Sequence, residues 1–357
     1  MAILSGMKKS LAIFVFRLLL VCIPFLGQAQ DPQLSQFYAA PLLISPAFAG
    51  INSTSKVNFN YRNQWPNLDA SYQFTSMTAD LSIGKLNSGI GILATTDKQF
   101  SNLKTTSLGL QYAYHVDLSP DQTLSMGMQG TYVNRGLDMN NLISGDQINN
   151  LLTIGSLGAT SDPILGNTIL QKSYIDLSVG GLLNTKNYWI GVSAHHLNQP
   201  NKSLTSSMED ILATKFSLQM GTKIMLRENF YEEDSYESLN NEKSISPVIH
   251  YKQQGDFQQL DMGAYLTWSP MVVGVWYRGI PITKTKIGNT NRESIVALLG
   301  YRQDNFSIGY SYDLTISQLG PAAGGAHEIS MAYLFDFDFS LKKPFVKWKR
   351  NLSCPKF

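Results

Sequence analysis

Apolar residues recur at every second position along most of this chain, and that alternation limits the fold more than any other feature. In Thr106, Leu108, Leu110, Tyr112, Tyr114 and Val116 each step skips one residue, and Ser107, Gly109, Gln111, Ala113 and His115 lie between. Leu124, Met126, Met128 and Tyr132 repeat the pattern, as do Ile175, Leu177, Val179 and Leu183, then Phe216, Leu218 and Met220. Near the end come Phe306, Ile308, Tyr310 and Tyr312, then Ile329, Met331, Tyr333 and Phe335. Successive side chains of a strand point to opposite faces, so each run has one apolar face and one small or polar face. Helical spacing would scramble the two sets.

These runs start near Lys56, Tyr72, Ser88, Leu103, Gln122, Ser173, Tyr188, Thr214, Ser244, Phe257, Met271, Arg292, Asn305 and Ala326. They predict about fourteen strands of about nine to twelve residues, the length a tilted strand needs to cross hydrocarbon. Strands of a soluble β-sandwich also alternate, but are commonly about five or six residues long. Charged residues are only 15% of the chain and aromatics reach 11%, against about a quarter charged in ordinary soluble domains. The expected fold is all-β: a transmembrane antiparallel outer-membrane β-barrel.

The leading segment is a targeting signal by composition. Lys8 and Lys9 precede a mostly apolar run interrupted by Arg17, and Gly27 and Ala29 supply small residues before Gln30. Residues 1–29 therefore read as a signal peptide cleaved after Ala29. The run is short of the ~20 residues a spanning helix needs. Cys22 as a lipid anchor is disfavoured, because Val21 precedes it where a small residue is expected. Cleavage brings the +2 charge close to neutrality, which gives no case for nucleic-acid binding. It also leaves Cys354 alone, which excludes an intramolecular disulfide and cysteine metal clusters.

Connection lengths supply orientation. Tight turns are expected at Ser119-Pro120-Asp121, Thr185-Lys186-Asn187, Ser269-Pro270 and Asp304-Asn305, and long connections at residues 134–172, 198–213, 279–291 and 314–325. Barrels place long loops outside and tight turns in the periplasm. One connection breaks the rule. Residues 227–243 are long and acidic (Glu228, Glu232, Glu233, Asp234, Glu237, Glu242), so either the strand count slips there or a sizeable loop hangs into the periplasm.

The domain plan is a signal peptide (1–29), an N-terminal periplasmic or lumenal arm (30–55), a β-barrel (56–339) and a basic C-terminal tail (340–357). The arm, DPQLSQFYAAPLLISPAFAG over residues 31–50, is dense in prolines and aromatics. Pro32, Pro41 and Pro46 oppose a regular strand or helix, so it reads as an ordered, extended segment. Phe37, Tyr38, Leu42 and Phe48 need a surface to bury against, either the lumen or a partner protein. The tail interleaves Lys342, Lys343, Lys347, Lys349 and Arg350 with Phe345 and Trp348. That pattern suits anionic headgroups or an acidic partner.

No catalytic, cofactor or metal site is expected. His195 and His196 are adjacent, so in a strand they face opposite ways, one lumenal and one interfacial. His327-Glu328 lacks the following x-x-His of a zinc helix. No feature selects a serine for a Ser–His hydrolase site. The acidic cluster around Glu233 lacks the residue order of a calcium loop. Arg62, in the Tyr61-Arg62-Asn63-Gln64-Trp65-Pro66 stretch, is expected to face the lumen and pair with Asp80 or Asp313, with Trp65 in an aromatic girdle. The candidate partner- or lumen-binding residues are Asp31, Pro32, Gln36, Phe37, Tyr38, Pro41, Pro46, Phe48, Arg62, Trp65, Glu233, Lys347 and Trp348.

Asp31, Pro32, Ser35, Gln36, Phe37, Tyr38, Pro41, Pro46, Ala47, Phe48, Ala49 and Gly50 form a signature that resembles the mature N-terminus of the PorP/SprF family of Bacteroidota outer-membrane proteins. Ser45 stands where asparagine is more usual. Tyr61 to Pro66, Ser311-Tyr312-Asp313, Gly325 to Ser330 and Cys354-Pro355-Lys356-Phe357 extend the resemblance to the last residue. It implies a non-enzymatic role in type IX secretion and gliding motility. Implied partners are outer-membrane lipids, the periplasmic ring and lipoprotein components, and secreted adhesins with type-B C-terminal sorting domains. A channel or hydrophobic-solute transporter of the outer membrane is the alternative.

Overall fold

The computed structural model describes residues 31–335 except 53, 70, 84–85, 100–101, 139–144, 155–170, 206–208, 227–241, 285–289 and 318–319. The first strands are β1 (Ser55–Gln64), β2 (Tyr72–Ile83), β3 (Ser88–Gln99), β4 (Leu103–Ser119), β5 (Gln122–Leu137), β6 (Gln171–Thr185) and β7 (Tyr188–His195). There follow β8 (Lys215–Thr222), β9 (Ile224–Met225), β10 (Lys243–Gln254), β11 (Phe257–Trp268), β12 (Met271–Lys284), β13 (Thr290–Gln303), β14 (Phe306–Thr315) and β15 (Ala326–Phe335). A helix, α1 (Gly145–Ile154), lies in the connection between β5 and β6; the alternation carried no sign of it.

Apart from β8 and β9, consecutive strands pair antiparallel, and β15 pairs back onto β1, with Arg62 opposite Glu328. β8 and β9 both pair with β10, one stave interrupted at Lys223. The break lies opposite Ser246 and Pro247, and proline brings no N–H to a ladder. The ring is therefore a closed barrel of 14 staves. Closure satisfies every edge, the condition for a sheet to sit in lipid.

Burial across the wall is inverted relative to a soluble protein. Leu110 is 61% exposed while its neighbour Gln111 is 1% exposed. Leu108, Met126, Met128, Ile175, Val192, Val275 and Leu299 are likewise exposed, whereas Ser125, Asn58, Gln219 and Gln259 are buried. The outside is an apolar band suited to acyl chains, and the inside is polar. Near the tight-turn rim the band ends in exposed Tyr112, Tyr114, Tyr188, Trp268, Phe306 and Tyr333, an aromatic girdle at the level of headgroups.

Leu226 and Lys243, which flank the long acidic connection, are joined by a backbone hydrogen bond of 2.8 Å. The ring order leaves both ends of this connection on the tight-turn rim, so the strand count does not slip. Conversely, β10 and β11 turn tightly on the opposite rim, through Gln254 paired with Phe257. His196 departs from expectation. It lies beyond the end of β7 with φ +60, and turns inward to Asp176 at 3.0 Å instead of taking the interfacial place expected for one of the pair.

Candidate functional site

The inside of the ring is occupied by the chain's own N-terminal arm. Residues 37–39, 41–43 and 46–48 form three short 3-10 turns, a compact course where an extended one was expected. Pro41 and Pro46 each open a turn, where a missing N–H costs nothing and the fixed φ suits the helix. Ser45 accepts from the Ala47 N–H and caps the third turn. Phe37, Tyr38, Leu42, Ala47, Phe48, Ala49 and Ile51 are all buried in one cluster with inward residues of the wall. Phe37 meets Trp276 edge-on at 4.9 Å and lies 5.3 Å from the His250 ring, Tyr38 lies against Tyr265 at 5.0 Å, and Phe48 against Trp189 at 6.1 Å.

The start of the arm is held by charge. The Ser35 and Gln36 N–H groups donate to the two oxygens of Glu328, at 2.7 and 2.9 Å. The Ser35 hydroxyl donates to Asp313 at 2.6 Å and accepts from Arg62 at 2.7 Å. Arg62 itself reaches Asp313 at 2.8 Å and Glu328 at 3.2 Å. Arg278 bridges Asp261 (3.0 Å) and Asp313 (3.1 Å) and donates to the Leu34 carbonyl. The Gln36 amide donates to Ser311 and to the Glu328 carbonyl, and accepts from Ser330. Arg62, Arg278, Asp313 and Glu328 are each at most 2% exposed. Such charges persist at depth only when paired and hydrogen-bonded, and this cage meets that condition with the arm as one of its partners.

The end of the arm is held by shape. Gln111 donates to the Leu42 carbonyl at 2.7 Å. Ser193 and His195 donate to the Ile44 carbonyl at 2.8 and 2.9 Å. A carbonyl only accepts, so His195 Nε2 carries a proton, while Nδ1 pairs with the Ser178 hydroxyl at 3.1 Å. Beyond this the backbones nearly touch. A Cβ on Gly127 would lie 2.4 Å from the Pro46 carbonyl carbon, and one on Gly180 would lie 2.1 Å from Ser45 Oγ. Only glycine lets the wall approach so closely.

Glu242, immediately before β10 and outside the membrane-spanning strands, ties together the tight-turn rim. It meets Lys223 at 2.8 Å and Arg302 at 3.0 Å, accepts from Ser244, and its carbonyl accepts from the Ser269 N–H. Burial by itself raises this carboxyl, but Lys223 and Arg302 beside it hold it down at about 2.

The structure thus brings Gln36, Phe37, Tyr38, Pro46, Phe48 and Arg62 together in the lumen, with Pro32 and Pro41 half-buried on the same arm. Of the two carboxylates considered for Arg62, Asp313 is its partner, and Asp80 accepts from the Gly50 N–H. Trp65 is half-buried at φ +56 and donates its N–H to Gly325. Asp31 is half-buried. Glu233, Lys347 and Trp348, the signal peptide and its cleavage point, and Cys354 lie outside the described residues. The sequence analysis singles out neither Arg278 nor Asp261, and it weighs Glu328 only within a zinc motif and the family signature. Their inward strand parity was the available signal, since ionisable residues at membrane depth mark functional positions. Among the described residues no cluster of side chains suits a metal ion.

A closed antiparallel ring with an apolar outer band, a polar inner wall and a filled lumen defines a membrane β-barrel of the outer-membrane type. Residues 26–333 match the family described as type IX secretion system membrane protein PorP/SprF, and the chain belongs to that family. No curated protein matches it. Among solved structures it resembles the toluene transporter TodX of P. putida at 10% identity, covering 82% of this chain and 93% of that one with a TM-score of 0.41. The CymD monoaromatic hydrocarbon channel matches at 11% identity over 87% of this chain and 95% of that one, TM-score 0.40. Omp33 of Acinetobacter baumannii matches at 9% over 81% and 100%, TM-score 0.39. Likenesses this distant say nothing about what this chain does.

Proposed function

We propose that this protein is a non-enzymatic outer-membrane component of the type IX secretion and gliding machinery, which anchors a secreted adhesin through the adhesin's type-B C-terminal sorting domain. The observation that carries the reading is the family match, which runs from the arm through the last strand. In this reading the long-loop rim faces the cell exterior and holds the adhesin domain. The tight-turn rim faces the periplasm. There the acidic connection around Glu233 and the basic tail with Lys347 and Trp348 contact ring and lipoprotein components. The Glu242 clamp fixes the root of the acidic connection to this same rim. A standing solute channel is the weaker reading, because the arm occupies the lumen.

The test is a pull-down of the tagged protein from detergent-solubilised membranes, with crosslinkers placed at positions 233 and 347. The expected result is recovery of an adhesin C-terminal domain, together with crosslinks to periplasmic components. Labelling of either position from outside intact cells, or recovery no better than with an unrelated barrel, would overturn it.

A further inference from the structure

Part of the lumen wall is better suited to water than to the apolar side chains of the arm. Along β1 and β2 the inward residues form cross-strand polar pairs, Asn60 with Ser76, Asn58 with Thr78 and Lys56 with Asp80. Both amide atoms of Asn60, the Asn58 carbonyl oxygen and the Ser76 hydroxyl are buried and make no hydrogen bond to a protein group. On β8 to β12 the same holds for both amide atoms of Gln219, both ring nitrogens of His250, the Gln259 carbonyl oxygen and the Trp276 indole nitrogen. His250 and Gln219 lie directly opposite each other, and Asp261 follows opposite His250. Buried polar groups are normally satisfied, and each exception needs a reason. The arm gives these groups little, since it presents Phe37, Tyr38, Ala39, Ala40, Leu42, Ala47 and Phe48. Water in the place of these apolar side chains offers each of them a hydrogen bond.

The charged hold on the arm is also confined to one end. The arm is covalently continuous with β1 at the tight-turn rim, through residues 51–54. Its charged latch, Ser35 and Gln36 in the cage of Arg62, Arg278, Asp313 and Glu328, is at the far end from that hinge. We propose that the arm is a latched, displaceable plug, and that its withdrawal toward the tight-turn rim opens an aqueous pore for small hydrophilic solutes and ions. Two packings of one segment, balanced between apolar burial and hydration of the wall, make a bistable element. The uncovered wall carries Arg62, Arg278 and Lys252 against Asp261, Asp313 and Glu328, so the pore discriminates weakly between potassium and chloride.

The experiment is conductance of the purified full-length protein in planar bilayers, in a Cys354→Ser background. Wild type is expected to stay mostly closed. Ser35→Ala with Glu328→Gln removes donors and acceptors of the latch and raises the open fraction by on the order of tenfold or more, since hydrogen bonds to charged groups are lost. Ser45→Cys with Gly180→Cys, a pair placed near disulfide reach because a Cβ at position 180 would lie 2.1 Å from Ser45 Oγ, holds the arm in the lumen when oxidised and stays closed until a reductant is added. Deletion of residues 32–51 leaves the pore open. In the latch variant, a probe cysteine at Asn60→Cys becomes reactive to a water-soluble thiol reagent. The proposal is overturned if the latch variant, still migrating as a folded barrel, opens no more than wild type. It is equally overturned if the oxidised protein conducts like the reduced one. If the deletion variant does not fold, the oxidised and reduced pair decides. The isolated barrel is assayed alone, so either outcome is independent of whether an adhesin is recovered in the pull-down.

Discussion

The two ends of the lumenal arm are held by different physics. At Ser35 and Gln36 the grip is a cage of buried charges that recognises two consecutive N–H groups and one hydroxyl. At Ser45 to Gly50 the grip is close backbone approach against wall glycines. The cage is directional and chemically selective, and hydrogen-bond substitutions weaken it without added bulk. The glycine contact has little chemical selectivity, but a single methyl group closes it. One segment therefore carries a releasable end and a fitted end.

Four substitutions sharpen that contrast, read as stability of the folded barrel by heat-dependent migration and by urea titration of tryptophan fluorescence. Arg62→Ala should have the largest effect, a loss on the order of 3–5 kcal/mol, because Asp313 and Glu328 remain buried without it; a loss under about 1 kcal/mol would mean the cage is hydrated. Gly127→Val should cost about 1–3 kcal/mol and expose the arm to protease, since its side chain would overlap the Pro46 carbonyl. An unchanged protease pattern would show that the arm does not depend on that contact.

Glu242→Gln should cost about 2 kcal/mol at neutral pH through loss of its pairing with Lys223 and Arg302. The sign follows from a folded carboxyl at about 2 against an ordinary value of 4.5. The stabilisation is complete above 4.5 and disappears as pH falls toward 2, so mutant and wild type should converge in acid. A gap independent of pH would exclude the charge as its origin. Ser35→Ala should be the mildest, about 1 kcal/mol, as one hydroxyl is removed from a cage that keeps its own ion pairs. It should nevertheless loosen the arm's start while leaving residues 45–50 protected; equal loosening of both ends would erase the distinction between them.

The staves of the barrel were legible because lipid imposes a rule on every second residue. Leu108, Leu110, Tyr112 and Tyr114 announce an outward face whatever lies around the ring. The tight turns at Ser119-Pro120-Asp121 and Asp304-Asn305 were legible for a related reason, since their residues act locally. The arm's aromatics signalled a need for burial, but not the surface that meets it. The 3-10 turns, the inward turn of His196 and the break at Lys223 depend on neighbours distant in the chain.

By itself, then, the sequence determined an alternating, membrane-embedded sheet of long strands with a secretory leader expected before it, because periodicity and composition are local quantities. Only the tertiary structure decided that Glu328 captures Ser35 and Gln36, that Arg278 joins Asp261 to Asp313, and that Gly127 and Gly180 admit the arm. Those partners are separated by up to 293 residues. Ring closure brings them together, and no pattern along the chain encodes which inward side chain will meet which.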